Sequence, residues 1–427
     1  MPQFTTSPGM RDILPPESAR WRYFVDCFAA AAGGAGYGQV IPPLLEDIGV
    51  FTRLGEATDV VTKEMYDFTD KGGRHIALRP EQTASVCRAF VEHRPTLPFK
   101  AWYAGSNFRY EKPQRGRYRQ FDQVGVEALG SNDPHLDVEV ISIAWDFFAD
   151  LGLQKVTLVV NSLGDPDDRD RYTRAVADYF NANSDDLSEE SRATLSRNPL
   201  RLLDSKRPAE AEIVAGAPSI VEFWSPEALS HFDSVRAGLE SLGIPFVVDE
   251  RLVRGLDYYR RTTFEFRGGT LDSAQNALGG GGRYDGLIED LGGPATPGVG
   301  FALGVDRTLL ACDDEGVFVA PDVGAQLFII DTTGGEHALL LSTVLRRAGY
   351  RVDRAFDSRS MKAQMKAADR SGAALALIIG DEEAASDQIT LRPMYAGGDQ
   401  TVIPTSDLLA TVSNLINTVE TPNPGEQ

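Results

Sequence analysis

Asn107-Phe-Arg-Tyr-Glu-Lys-Pro-Gln-Arg-Gly-Arg-Tyr-Arg-Gln-Phe-Asp122 carries five basic residues (Arg109, Lys112, Arg115, Arg117, Arg119) against Glu111 and Asp122, in a chain whose formal net charge is −20. Planar guanidinium forks match carboxylate or phosphate oxygens, so a local concentration of them on an acidic molecule reads as a polyanion site. A solvated hairpin with surface arginines has the same composition. On either side, Lys100 to Tyr110 and Arg119 to Ala128 alternate apolar and polar residues, as does Thr263 to Arg267 further on. Such segments with turn signals between them predict hairpin strands of an antiparallel sheet. In a regular strand Phe121, Gln123, Gly125 and Glu127 share one face, and two polar groups beside an aromatic are unusual for core packing.

Working outward, 427 residues are too many for one ordinary core. Glu17 to about Ala32 has helical spacing (Trp21, Phe24, Val25, Phe28) and stops at Gly33-Gly34. Gln39-Val-Ile-Pro-Pro-Leu-Leu-Glu46 reads as a short strand broken by prolines, which belongs at an edge, a bulge or a subunit contact. A charged, helix-forming insertion is expected over about 164–240. Past Asp313-Asp-Glu-Gly the pattern becomes strand Gln326–Ile330, helix His337–Ala348, strand Arg351–Phe356, helix Met361–Ser371 and strand Leu375–Ile379. This alternation specifies a small separate α/β domain. The expected division is 1–320, 323–420 and a disordered tail over 421–427. Arg346 to Arg370 holds eight basic and three acidic residues, a second local basic face.

Other features narrow the chemistry. A hydrophobic content of 42% with 24% charged residues fits a soluble globular protein. A pI near 4.7 argues against indiscriminate coating of nucleic acid, but not against binding through local patches. Cys27, Cys87 and Cys312 lie far apart, which fits a reducing compartment without disulfides. The N-terminal residues do not have the pattern of a secretion signal, and no apolar run reaches bilayer length, so a cytoplasmic protein without membrane association is expected. None of the eight lysines follows a glycine, which excludes a P-loop, and Gly298-Val-Gly-Phe-Ala-Leu-Gly304 is one residue too long for a dinucleotide fingerprint. The five histidines lack metal spacing, so no metal site is expected.

Four blocks remain. In Leu78-Arg-Pro-Glu-Gln-Thr83 a carboxylate and a hydroxyl follow a proline turn, and either Glu81 or Thr83 also suits the cap of a helix over Thr83–Val91. The arginine stretch continuing to Glu127 is the second. The third is Arg251-Leu-Val-Arg-Gly-Leu-Asp-Tyr-Tyr259, and the fourth is Leu278-Gly-Gly-Gly-Gly-Arg-Tyr-Asp-Gly-Leu287. A run of glycines commonly marks a flexible connection; bounded by Arg283, Tyr284 and Asp285, it also lets backbone approach a ligand. Gly298 to Gly304 then leads into a helix with Arg307 near its first turn.

The blocks resemble, in order, the three signature motifs of class II aminoacyl-tRNA synthetases, and the third and fourth resemble the two peptides peculiar to the histidyl-tRNA synthetase family. The resemblance runs from Pro8-Gly-Met-Arg-Asp-Ile-Leu14 to the C-terminal segment; Pro43 with Glu46 resembles the proline element of the dimer interface, and Asp59-Val-Val-Thr-Lys-Glu-Met-Tyr66 extends it. It implies an α/β (α+β) architecture: an antiparallel-sheet catalytic domain with a helical insertion, then an α/β anticodon-binding domain, in a homodimer.

The same resemblance implies histidine activation by ATP with Mg2+, then transfer to tRNA(His). Glu81, Thr83 and Gln123 would hold the α-ammonium of L-histidine, with Glu127 and Tyr259 on the imidazole and Arg109, Arg254 and Tyr258 beside them. Phe121 would stack on adenine, Arg109 would clamp the α-phosphate, Arg307 would reach the γ-phosphate, and Glu111 would act with magnesium. Arg117 and Tyr284 would neighbour the ATP site; Lys112, Gln114 and Arg115 would meet the tRNA acceptor end. Catalysis would rest on Arg109, Arg254 and Arg307. Gln82 stands where the family commonly has glycine and is expected to crowd the turn beside the ammonium site. Lys112 replaces a frequent arginine, and motif 3 ends Val-Asp-Arg rather than Glu-Arg. A noncatalytic paralogue of the family serves as a regulatory subunit of ATP phosphoribosyltransferase, but usually lacks the Arg-Gly-Leu-Asp-Tyr-Tyr peptide and the anticodon domain. A ligase using the same adenylation on a non-tRNA acceptor would dispense with the C-terminal domain.

Overall fold

The computed structural model describes residues 4–52, 63–205, 207–252, 258–271, 276–357, 359–394 and 399–420. The chain divides into two compact units, Met1–Ala320 and Pro321–Gln427. Among the described residues no helix is long and apolar enough to cross a membrane.

In the first unit α1 (Glu17–Gly34) precedes β1 (Gly38–Gln39), β2 (Leu45–Asp47), α2 (Gly49–Thr52), β3 (Tyr66–Thr69), β4 (His75–Leu78) and α3 (Thr83–His93). The segment read as one proline-broken strand is therefore two. Gly38–Gln39 runs parallel to the edge of the main sheet, whereas Leu45–Asp47 joins a three-stranded sheet of order β2-β4-β3. Pro42 and Pro43 make the corner between them because neither can donate to a ladder. Arg79 stitches that corner, donating from Nη1 to the Pro42 carbonyl (2.7 Å) and from Nε to the Ser106 carbonyl (2.9 Å).

The main sheet is built by β5 (Phe99–Phe108), β6 (Gln120–Leu129), then, past α4 (Pro134–Asp150), β7 (Val156–Ser162), and, beyond a helical segment, β8 (Phe246–Val248), β9 (Arg260–Gly268), β10 (Ala277–Arg283), α9 (Leu287–Asp290) and β11 (Gly298–Gly304). Its order is β1-β5-β6-β11-β10-β9-β7-β8, antiparallel except at its two edge pairs. The four-glycine run is thus not a connection but the middle of a strand. A Cβ on Gly281 would land on the carbonyl of Gly300 in β11, and one on Gly279 on that of Ala302. The main core forms where Phe24 and Phe28 of α1 and Phe147 of α4 pack on Val126, Phe264 and Phe301 of the sheet. The unit's last helix, α10 (Val305–Glu315), follows β11 directly and ends at Gly316, whose φ of 71° suits a left-handed cap.

The helical segment comprises α5 (Pro166–Ala182), α6 (Glu189–Arg197), α7 (Ala211–Ala215) and α8 (Pro226–Ser241) with short 3-10 turns. It has a core of its own, including Tyr172, Val176, Phe180, Leu195 and Ile220. Although α8 falls within the range read as insertion, it buries Phe232, Val235 and Leu239 in the main core.

The second unit contains β12 (Leu327–Asp331), α11 (Glu336–Arg347), β13 (Val352–Arg354), α12 (Met361–Ser371), β14 (Leu375–Ile379), α13 (Asp381–Ser386), β15 (Gln388–Pro393), β16 (Thr401–Pro404) and α14 (Leu408–Glu420). Its sheet, β13-β12-β14-β15-β16, is parallel through β14 and antiparallel beyond. The parallel strands β12 and β14 are almost continuously apolar, as burial on both faces requires. Residues 421–427, read as a disordered tail, lie outside the described residues.

Candidate active site

A cavity of about 400 Å³ opens over β6, β10 and β11. Strand alternation puts Phe121 and Gln123 on its wall, and β10 contributes Ala277 to Gly280, the last two as bare backbone. Glu81, Thr83, Tyr258 and Tyr259 line it, and so do Arg109, Glu111, Arg117 and Arg307.

At the turn before α3, the Glu81 carboxylate accepts from the backbone N–H groups of Thr83 (2.6 Å) and Ala84 (2.9 Å), so it caps the helix. Burial pushes its pKa up against those two hydrogen bonds. Thr83 instead turns its hydroxyl to Glu127 (2.6 Å). Gln123 is oriented by Asn107, whose side-chain amide donates to its Oε1 (2.8 Å). Gln82, at the same turn, is buried, its amide donating to the Gly105 carbonyl (3.2 Å), and it is not among the residues that line the cavity.

Glu127 lies fully buried beneath the cavity. Three hydroxyls converge on its carboxyl: Thr83 and Tyr103 (3.2 Å) on one oxygen and Tyr284 on the other. Burial raises its pKa to about 8, opposed by the Thr83 and Tyr284 hydrogen bonds and aided by the charge of Glu81. A glycine must face it across the β6–β11 ladder, because a Cβ on Gly300 would fall on Glu127 Oε2. This corrects the placement of Tyr284. Its hydroxyl reaches Glu127, and its ring packs edge-on against Tyr258 (5.8 Å), which stacks obliquely on Tyr259 (4.6 Å); it is not on the cavity wall with the arginines.

Two of the arginines are held by backbone oxygens. Arg109 donates from Nε to the Pro80 carbonyl (3.0 Å), and its guanidinium lies 5.2 Å from the centre of the Phe121 ring. Arg307 donates to the carbonyls of Gly116 (3.2 Å) and Ala277 (3.0 Å). Burial lowers its pKa, and the charges of Arg117 and Arg109 add to the effect. Arg117 is paired with Glu111. Burial opposes ionisation of Glu111, but Arg117 and Arg109 hold it below the usual range; Glu64 beside it is raised by burial and by Glu111. Magnesium is commonly held by one or two carboxylates plus substrate phosphates, so Glu111 and Glu64 fit a magnesium nucleotide. Among the described residues no group of three or more His, Cys, Asp or Glu could hold a metal by itself.

Lys112, Gln114 and Arg115 stand exposed on the loop between β5 and β6, outside the cavity wall. Gln114 bridges to Arg117, and Arg115 pairs with Asp314 of α10 (3.3 Å). Arg254 lies outside the described residues. Three groups escaped the sequence reading. Tyr103 is the first, and its signal was a glycine, Gly125, directly opposite in register, where a Cβ would strike the Tyr103 hydroxyl. Tyr118 and Asp306 line the cavity, tied by Arg11, which pairs with Asp306 (2.8 Å) and lies 5.1 Å from the Tyr118 ring centre.

Comparison with known proteins gives this site a context. A family model described as histidyl-tRNA synthetase matches residues 9–308, and one described as anticodon binding domain matches residues 326–415. Histidine–tRNA ligase of Rhodococcus erythropolis is 46% identical over 97% of this chain and 98% of its own length; that of Geobacillus kaustophilus is 45% identical over 94% and 96%. The apo S. aureus histidyl-tRNA synthetase structure superposes with a TM-score of 0.81 at 35% identity, covering 97% of this chain and all of that one. With likeness of this extent over both units, the chain belongs to the histidyl-tRNA synthetase family.

Proposed function

We propose that the cavity joins L-histidine to ATP, giving histidyl-adenylate and pyrophosphate, and that the histidyl group then passes to the 3′ end of tRNA(His). Membership of the family makes the chain an ATP-dependent ligase. The observation that carries the proposal is one cavity in which Glu81, Thr83 and Gln123 stand over the Glu127 cluster while Arg109, Arg117 and Arg307 line the same wall. An ammonium group suits Glu81 and Gln123. An imidazole suits Glu127 with Tyr259, and a pocket whose buried polar groups need both ring nitrogens rejects side chains that lack them. Bound magnesium neutralises phosphate charge. The histidine carboxylate is ionised at neutral pH, so its in-line attack on the α-phosphorus needs no general base. Positioning and charge stabilisation supply the rate, with Arg109 and Arg254 at the α-phosphate, Arg307 at the γ-phosphate and Phe121 under the adenine.

Lys112, Gln114 and Arg115 would receive the acceptor end, and the second unit would read the anticodon. The exposed apolar side chains Ile41, Leu44, Leu45 and Phe68, on and beside the three-stranded sheet, support a homodimer through that face. A cytoplasmic location fits these substrates. The test is charging of a tRNA(His) transcript with labelled histidine. The wild type should charge, and Lys112→Ala with Arg115→Ala should slow charging while leaving pyrophosphate exchange intact; absence of charging by the wild type contradicts the proposal.

A further inference from the structure

Arg283 is the largest fully buried side chain among the described residues, and its partner Asp137 on α4 is equally buried. A charge pair taken so completely from water is expensive to desolvate and needs full hydrogen bonding. Arg283 has it. Nε donates to Asp137 Oδ1 (3.2 Å) and Nη2 to Oδ2, Nη1 reaches the Ser131 carbonyl (2.9 Å), and Nη2 the Asp133 carbonyl (3.3 Å). Nη1 also meets Asp285 Oδ1 (3.4 Å), which accepts from the Gly298 backbone N–H (3.2 Å). One guanidinium therefore binds the end of β10, the loop leaving β6, the start of α4 and, through Asp285, the start of β11.

These strands carry the two halves of the Tyr284–Glu127 contact. Glu127 lies two residues before the end of β6, and Tyr284 directly follows Arg283, its N–H donating to the Gly298 carbonyl (2.8 Å) and its hydroxyl to Glu127. His231 of α8 approaches Asp137 to 3.9 Å, but neither of its ring nitrogens has a hydrogen-bond partner among the described residues, so Asp137 is oriented by Arg283. We infer that Arg283 with Asp137 is a positioning pair for amino-acid recognition: it holds the Tyr284 hydroxyl on Glu127 and so fixes the carboxyl that meets the imidazole. The inference rests on the histidine-activating reading above.

The experiment is histidine-dependent pyrophosphate exchange with Arg283→Lys, Tyr284→Phe and the double variant, measuring KM for histidine and for ATP separately. Arg283→Lys should raise KM for histidine at least tenfold and leave that for ATP within twofold. The double variant should be no worse than the weaker single one, because both remove the same constraint. Parallel rises in the two KM values, a fall in kcat alone, or additive losses overturn the inference. If circular dichroism shows Arg283→Lys unfolded, Asp285→Asn, which removes one contact only, carries the same test with a smaller rise. A wild type silent in exchange overturns the functional reading and this inference with it; an active wild type with unchanged histidine KM in the variants overturns the inference alone.

Discussion

Replacing Glu127 by Gln removes a titration that the fold has displaced. Burial holds the carboxyl near pH 8 in the folded chain against an ordinary value of 4.5. Between those limits the folded state keeps a proton that the unfolded state has lost, so unfolding releases one and stability must fall as pH rises. The contribution is complete below about 4.5 and is lost as pH climbs through about 8. One proton released on unfolding corresponds to about 1.4 kcal/mol per pH unit well between the two pKa values, and partial ionisation near each of them brings the mean slope to about 1.2 kcal/mol per pH unit. All four tryptophans, Trp21, Trp102, Trp145 and Trp224, lie in the first unit, so their fluorescence reports on it alone during urea unfolding. From pH 5.5 to 7.5 the wild type should lose roughly 2 kcal/mol relative to Glu127→Gln. A difference between the two proteins that stays constant with pH would refute the reasoning, because Glu127 would then be ionised throughout.

Other substitutions test neighbouring claims. Gly300→Ala drives a methyl into Glu127 Oε2 and the Val126 carbonyl, which cannot both yield; we expect about 2 kcal/mol of destabilisation and a histidine KM raised roughly tenfold, checked by melting and exchange kinetics. Arg307→Lys keeps the charge but cannot span the Gly116 and Ala277 carbonyls, so KM for ATP should rise roughly tenfold or more while that for histidine stays within twofold. Arg254→Ala should lower histidine-dependent exchange by roughly 10³-fold, by analogy with other arginines that stabilise a transferring phosphoryl group, and exchange within about tenfold of the wild type would remove it from the α-phosphate.

Much of the site was legible because its elements obey local rules. The β5–β6 hairpin alternates cleanly, and its regular period places Phe121 and Gln123 on the wall above Glu127. The glycine run was harder, since glycine disfavours strands. What selects it is contact with the neighbouring backbone of Gly300 and Ala302, which exists only once β10 and β11 are paired. Likewise Pro42 and Pro43 announced a break but not that the chain changes sheets there, and β15 and β16 were not anticipated. Tyr103 and the inward turn of Tyr284 depend on cross-strand register, which no single segment encodes. Glu81 fulfils a helix cap and lines the cavity, so its two sequence readings were not alternatives.

The central claim is that this cavity recognises histidine and activates it with ATP. The most direct measurement is amino-acid-dependent exchange of labelled pyrophosphate into ATP, with each standard amino acid supplied separately. Exchange supported by histidine, with the other amino acids near background, is the predicted result. Histidine binding without exchange, or comparable exchange with several amino acids, would contradict it.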